Sequence, residues 1–85
     1  MEKYYAKLIT LDAGYPSDKL QVKNNLILGN TYVIEDMHIG GWHTDVYLEG
    51  ITGSFNSVFF EFYDEDGNEI NFLDIPIATR DYYED

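Results

Sequence analysis

The sequence predicts an all-β domain in which about five short antiparallel strands close into a small barrel. Runs of β-branched and aromatic residues alternate with clusters of Gly, Asn, Asp and Pro, which is typical of strands joined by tight turns. No segment has the periodicity of a long helix. A barrel also removes the exposed edges that a small flat sheet would leave. At 85 residues the chain is expected to form one domain, residues 1–85.

Two strands are predicted before residue 40. In residues 4–11 the side chains alternate between two faces, and the run ends at a turn cluster in residues 12–18. This cluster is expected to be an exposed loop. Residues 32–38 form the second predicted strand, which a Gly-Gly pair ends.

The third and fourth predicted strands alternate core and surface positions. Residues 44–49 turn two side chains toward the core, Val46 and Leu48, and three outward, Asp45, Tyr47 and Glu49. Residues 58–63 repeat this arrangement, with an inward set of Val58, Phe60 and Phe62 and an outward set of Phe59, Glu61 and Tyr63.

The fifth predicted strand, residues 69–73, follows an Asp-Gly turn in residues 64–68. Residues 75–85 are expected to form an acidic, tyrosine-containing C-terminal extension. Together the strands predict a single core that contains Ala6, Leu8, Ile34, Val46, Leu48, Val58, Phe60, Phe62, Ile70 and Phe72.

Three segments carry a resemblance to a known group of proteins: residues 28–34 (LGNTYVI), 47–50 (YLEG) and 53–61 (GSFNSVFFE). They look like small, mostly uncharacterised SH3-like β-barrel proteins of Gram-positive bacteria and their phages. The resemblance implies an SH3-like barrel and a phage-like context. It transfers no active-site residue, and SH3-like barrels host many unrelated functions.

The net charge of −11 belongs to the folded body of the chain. Residues 24–79 contain ten Asp or Glu residues and no Lys or Arg, while all four lysines lie in the first 23 residues. Such a field repels phosphates and favours cationic partners. Direct nucleic-acid binding is therefore not expected, because it relies on Lys and Arg to neutralise phosphates.

The sequence predicts a cytoplasmic protein without disulfides. It contains no cysteine, which excludes thiol nucleophiles and thiolate metal sites. Its N-terminus lacks a long apolar run before a small-residue cleavage site, and no stretch approaches roughly 18 uninterrupted apolar residues. Secretion by this route and membrane insertion are not expected.

No catalytic, cofactor or metal site is predicted. In the acidic segment 64–69, Gly67 is the fourth residue, whereas a calcium loop needs glycine at its sixth position. The spacing of His38, His43 and Asp45 matches no familiar metal-ligand motif. Neither histidine lies in a triad context, so the chain is not expected to be an enzyme.

The predicted partner-binding residues are Asp45, Tyr47, Glu49, Glu61, Tyr63 and Trp42. The first five are expected to share one outward face, where clustered carboxylates without an intervening lysine are costly and so favour a binding purpose. Trp42 lies at the apex of a turn. It is either an anchor for a partner or a ring folded over the open end of the barrel.

Two classes of function follow. The first is a non-enzymatic, acidic protein-binding module that binds the basic surface of a protein partner. Its sharper form is a phage inhibitor of a host nucleic-acid-binding or defence protein, and its plainer form is a solvated acidic surface with the binding site elsewhere. The alternative is an oligomer that sequesters a small nucleotide signal, for which the available cations are Lys3, Lys7, Lys19, Lys23 and Arg80.

Overall fold

Strands dominate the computed structural model, which describes residues 3–41 and 43–80, with side chains to residue 78. The strands are β1 (Tyr5–Leu8), β2 (Thr31–Ile39), β3 (Thr44–Leu48), β4 (Ser54–Asn56), β5 (Phe60–Tyr63), β6 (Glu69–Ile70) and β7 (Thr79–Arg80). One α-helix, α1 (Pro16–Asn25), and two 3-10 helices, Ser57–Phe59 and Phe72–Asp74, complete the described elements.

The sheet runs in the order β4-β3-β2-β1-β5-β6, and every neighbouring pair on this path is antiparallel. β7 lies off the path and pairs in parallel with the end of β2, where Thr79 is opposite His38. The prediction of a mostly β fold is confirmed. The SH3-like barrel is not, since the sheet stays open between β4 and β6 in the described part of the chain.

β2 joins the two halves of this sheet. Its first residues pair with β1, and its second half pairs with β3. The register shifts between Ile34 and Asp36, which marks a β-bulge. A bulge leaves one extra residue unpaired and bends the strand. Here it leaves Glu35 and Asp36, which are consecutive, both exposed.

The helix α1 corrects the expectation that residues 12–18 form an exposed loop, because it begins within that segment. Pro16 is its first residue, where a missing N–H costs nothing. The Asp18 carboxylate accepts the backbone N–H of Tyr15 at 3.1 Å and so caps the first turn. Val22 is buried, whereas Leu20 is exposed. The helix is set by its capping residues and has no apolar stripe, so periodicity did not reveal it. None of the described residues belongs to a helix long and apolar enough to cross a membrane.

Most of the predicted core is buried. Seven predicted residues are buried, namely Ala6, Leu8, Ile34, Val46, Leu48, Phe60 and Phe62, and two, Ile70 and Phe72, pack partly buried against them. The core also contains residues that strand alternation did not select: Tyr4, Val22, Leu26, Met37, Ile39, Phe55, Phe59 and Ile75.

Val58 is the exception, and the prediction that it lies in the core is wrong. It is 52% exposed, and the adjacent Phe59, predicted to face outward, is fully buried. The cause is the 3-10 helix Ser57–Phe59, which begins where the Asn56 side chain accepts the backbone N–H of Val58 at 3.2 Å. This turn interrupts the two-residue period, and regular alternation restarts at Phe60.

The last predicted strand, residues 69–73, is also shorter in the structure than predicted. β6 has two residues, and the 3-10 helix Phe72–Asp74 replaces the rest of the predicted strand 69–73. Ile75, at the start of the predicted extension, is buried in the core. Residues 81–85 lie outside the described residues.

Candidate functional site

β3 presents the first group of predicted binding residues. Thr44, Val46 and Leu48 are buried, so Asp45 and Tyr47 lie on the opposite side of the strand. Tyr47 is 37% exposed. The Asp45 Oδ1 lies 3.3 Å from Nε2 of His43, and Glu49 is exposed just beyond the strand.

β5 presents the second group. Glu61 and Tyr63 alternate with the buried Phe60 and Phe62. The Tyr63 hydroxyl donates a hydrogen bond to Oε1 of Glu61 at 2.8 Å. This bond to a carboxylate favours the protonated phenol and raises the pKa of Tyr63 above its ordinary value. The Tyr63 hydroxyl and one Glu61 oxygen are therefore already hydrogen-bonded to each other.

The two groups lie on strands that are not adjacent. In the strand order, β2 and β1 lie between β3 and β5, so two strands separate the two groups. On β1, Lys7 lies directly opposite Glu61. The expectation of a carboxylate face without an intervening lysine is therefore wrong at the β5 end, because Lys7 is a cross-strand neighbour there.

Carboxylates without such a neighbour concentrate around β2 and β3. We call this surface the acidic patch: Glu35, Asp36, Asp45, Tyr47 and Glu49. Tyr47 is the cross-strand partner of Asp36, and with Glu35 these two line a shallow hollow of about 360 Å³. The segment that forms β2, β3 and β4 contains no Lys or Arg. Sequence reasoning missed Glu35 and Asp36 because a bulge changes the face that each residue occupies.

In the hairpin between β5 and β6, a carboxylate is hydrogen-bonded to the backbone of the turn itself. Oδ1 of Asp64 accepts the backbone N–H of Asn68 and of Asp66, each at 2.9 Å. These bonds hold the pKa of Asp64 below its ordinary value, and the bond from Asn68 has the larger effect. Gly67 takes a φ of 86°, as the predicted Asp-Gly turn requires. The segment is a hairpin loop.

Trp42 lies outside the described residues, but both of its sequence neighbours line a cleft of about 620 Å³. We call it the apical cleft; its lining residues are Tyr15, Ile39, Gly40, Gly41, His43, Thr44, Asn56, Ser57, Val58, Phe72 and Leu73. They come from the β2–β3 turn, the start of α1 and both 3-10 helices.

A short repeat in the sequence marks this cleft. In Asn56-Ser-Val58 and Asn71-Phe-Leu73, each Asn side chain accepts the backbone N–H two residues ahead, at 3.2 and 2.9 Å. Each bond starts a 3-10 helix and leaves the apolar residue exposed. In the sequence, an Asn two residues before an apolar residue is therefore a signal of such a turn, and an analysis based on strand alternation does not consider it.

Comparison with known proteins adds the family. A family model described as bacteriophage T4 protein Y07B matches residues 3–82. The chain belongs to this family. The match supports the phage origin that the sequence resemblance implied, and it shows no likeness to SH3-like barrel proteins. No curated protein and no solved structure matches the chain.

Proposed function

We propose that this member of the Y07B family is a non-enzymatic protein-binding module whose acidic patch docks against a basic surface of a protein partner. One observation carries the proposal: the bulge in β2 exposes Glu35 and Asp36 side by side, next to the exposed ring of Tyr47. Carboxylates steer the approach of a cationic surface, and tyrosine supplies amphipathic contact area.

The proposal places the centre of docking at β3 and leaves β5 at the margin. Glu61 and Tyr63 bond to each other, and Lys7 lies opposite Glu61. A cationic partner would have to displace the Tyr63–Glu61 hydrogen bond there and would meet the like charge of Lys7. At the acidic patch, Asp45 lies beside His43, and neither Asp36 nor Asp45 has a Lys or Arg as its cross-strand partner.

In a phage family, the partner that we propose is a host protein whose basic surface otherwise holds nucleic acid, such as a nucleic-acid-binding or defence protein. Exposed carboxylates would then occupy positions where phosphates bind. A nucleotide-sequestering role gains no support, since the open groove beside Lys7 is also lined by Asp64 and Glu65. These two carboxylates repel an anionic ligand.

The test reverses charge on the acidic patch and compares it with an equal reversal elsewhere. The patch variant is Asp36→Lys with Glu49→Lys, and the matched control is Glu65→Lys with Asp66→Lys in the exposed hairpin loop. Tagged wild-type protein first retrieves its partner from a lysate of the bacterial host. Association rates of all three proteins with that purified partner are then measured from 50 to 300 mM salt.

We expect the patch variant to associate at least ten-fold more slowly at low salt and with a flatter salt dependence, because steering by charge is lost. The control should stay within about two-fold of wild type, since local charge dominates the docking encounter. Equal slowing in both variants would show that the net charge of the protein, and not the acidic patch, sets the association rate. Wild-type rates in the patch variant, or no retrieved host protein, would refute the proposal.

A further inference from the structure

The apical cleft borders the acidic patch at Asp45, which lies 3.3 Å from His43 of the cleft, but it has a different character. Its volume of about 620 Å³ falls in the range of ligand pockets, roughly 300–1,000 Å³. Apolar side chains dominate its wall, and three of them are well exposed: Tyr15 at 73%, Val58 at 52% and Leu73 at 45%. A chain this short needs most of its apolar side chains in the core, so three exposed ones at a single cleft call for an explanation.

The backbone holds these exposed side chains in place. Val58 and Leu73 each sit in a 3-10 helix that is fixed by an Asn side chain. Tyr15 precedes Pro16, and its backbone N–H is bonded to Asp18. The wall is therefore formed before any partner arrives, which reduces the entropy lost on binding.

Two carboxylates lie next to residues that line the cleft. Asp45 is the cross-strand partner of Asn56 and lies 3.3 Å from His43, and both of these residues line the cleft. Oδ2 of Asp18 accepts a hydrogen bond from Nδ2 of the same Asn56 at 3.4 Å. The lining residues include no Lys or Arg. The ammonium of Lys19, on the same helix as Asp18, lies 2.9 Å from the Asp12 carboxylate.

We propose that the apical cleft binds an aromatic side chain carried by a basic peptide segment of a protein partner. The apolar wall accepts the ring, Asp18 and Asp45 attract flanking Lys or Arg side chains, and the exposed Tyr15 ring offers a face for a cation. This site goes beyond the acidic patch, and either proposal can fail without the other.

The experiment uses the full-length, nitrogen-15-labelled chain and defined peptides. Amide shifts are followed while acetylated and amidated Lys-Trp-Lys is added, and the titration is repeated with Glu-Trp-Glu and with Lys-Ala-Lys. We expect saturable shifts at the cleft amides of Gly40, Gly41, Thr44 and Val58. Lys-Trp-Lys should bind at least ten-fold more tightly than either of the other peptides, since each lacks one half of the proposed recognition.

Three variants locate the binding. Val58→Asp and Leu73→Asp place a charge in the wall at two independently exposed positions, and each should weaken Lys-Trp-Lys binding at least ten-fold. Leu20→Asp, on an exposed position of α1, is the matched control and should bind as the wild type does. If either cleft variant is poorly folded, the other still decides the result.

Several results would overturn the proposal. Shifts away from the cleft, or equal binding of all three peptides, would remove the site or its specificity. Cleft shifts that change with protein concentration before any peptide is added would assign the cleft to a second copy of the chain. If Asp36→Lys with Glu49→Lys abolishes binding and Val58→Asp does not, the peptide binds the acidic patch.

Discussion

Replacing Phe59 with alanine should destabilise the protein far more than replacing Val58, although strand alternation predicts the reverse. The 3-10 helix Ser57–Phe59 exchanges the positions of these neighbours: Phe59 is fully buried, and about half of Val58 is in water. The pair of variants therefore tests a single local feature of the backbone, the turn that begins at Asn56.

The structure sets the two magnitudes. Truncating a buried Phe to Ala costs about 3–5 kcal/mol, including the cavity that it leaves. Val58→Ala removes two methyl groups that are half-buried, and at about 0.8 kcal/mol for each fully buried group the loss is about 0.8 kcal/mol. An 85-residue domain at roughly 0.05–0.15 kcal/mol per residue has about 4–13 kcal/mol in total. Phe59→Ala therefore removes much of the stability.

Urea unfolding and thermal melting, both followed by far-UV circular dichroism, measure these losses. At roughly 4–8 °C per kcal/mol for a domain of this size, Phe59→Ala should lower Tm by at least about 12 °C and Val58→Ala by less than about 7 °C. If Phe59→Ala does not fold, Phe59→Leu should give a smaller loss that still exceeds that of Val58→Ala. A larger loss for Val58→Ala than for the Phe59 variants would refute the turn.

Three further predictions concern the β5–β6 hairpin. The pKa of Asp64 is lowered in the folded state, so its ionised form stabilises the fold above the ordinary pKa of 3.8, and this contribution disappears as pH falls through the lowered pKa. Asp64→Asn should therefore destabilise at pH 7 and differ little from wild type near pH 2 in urea unfolding; a deficit of equal size at both pH values would contradict this. Gly67→Ala should cost about 1–2 kcal/mol through its positive φ alone, since no atom beyond its two chain neighbours lies within 4 Å of the added Cβ. Gly67→Asn, which tolerates this conformation better, should cost less, and equal costs would count against the backbone explanation. Glu61→Gln should return the pKa of Tyr63 toward its ordinary value in an NMR titration of the ring, and an unchanged titration would show that Glu61 is not the cause.

Alternation identified strands where one face is buried along the whole element. β3 is the clearest case, since Val46 and Leu48 face the core and Asp45 and Tyr47 face outward. The Asp-Gly turn was predictable for a similar reason: Gly67 takes the positive φ that such a turn needs. These features depend on neighbouring residues only, so a local pattern contains the information.

Alternation did not predict the features that a single residue or hydrogen bond determines. α1 buries Val22 but exposes Leu20, so its start is marked only by Pro16 and the Asp18 carboxylate. The bulge in β2 likewise has no apolar signal, because the two residues that it exposes are both acidic. A single capping or bulged residue changes the face of everything near it, and a periodicity averaged over a window cannot detect it.

The order of strands was also beyond a local pattern. β1 pairs with β5 across more than fifty residues, and β2 divides its length between β1 and β3. Each run reads as a strand whatever its partner is. An open sheet and a closed barrel are thus equally consistent with the alternation, and only the pairing separates Tyr63 from Tyr47 by two intervening strands.

The deviations from the simple pattern coincide with the surfaces proposed to bind. Two Asn turns expose Val58 and Leu73 at the apical cleft, and the bulge exposes Glu35 and Asp36 at the acidic patch. Continued alternation would have placed Val58 in the core. Natural sequences depart from fold-favouring rules mainly at functional sites, where the lost stability is offset elsewhere. That two separate departures each open a preformed surface, one apolar and one anionic, is the structural reason to expect a partner that carries both aromatic and basic groups.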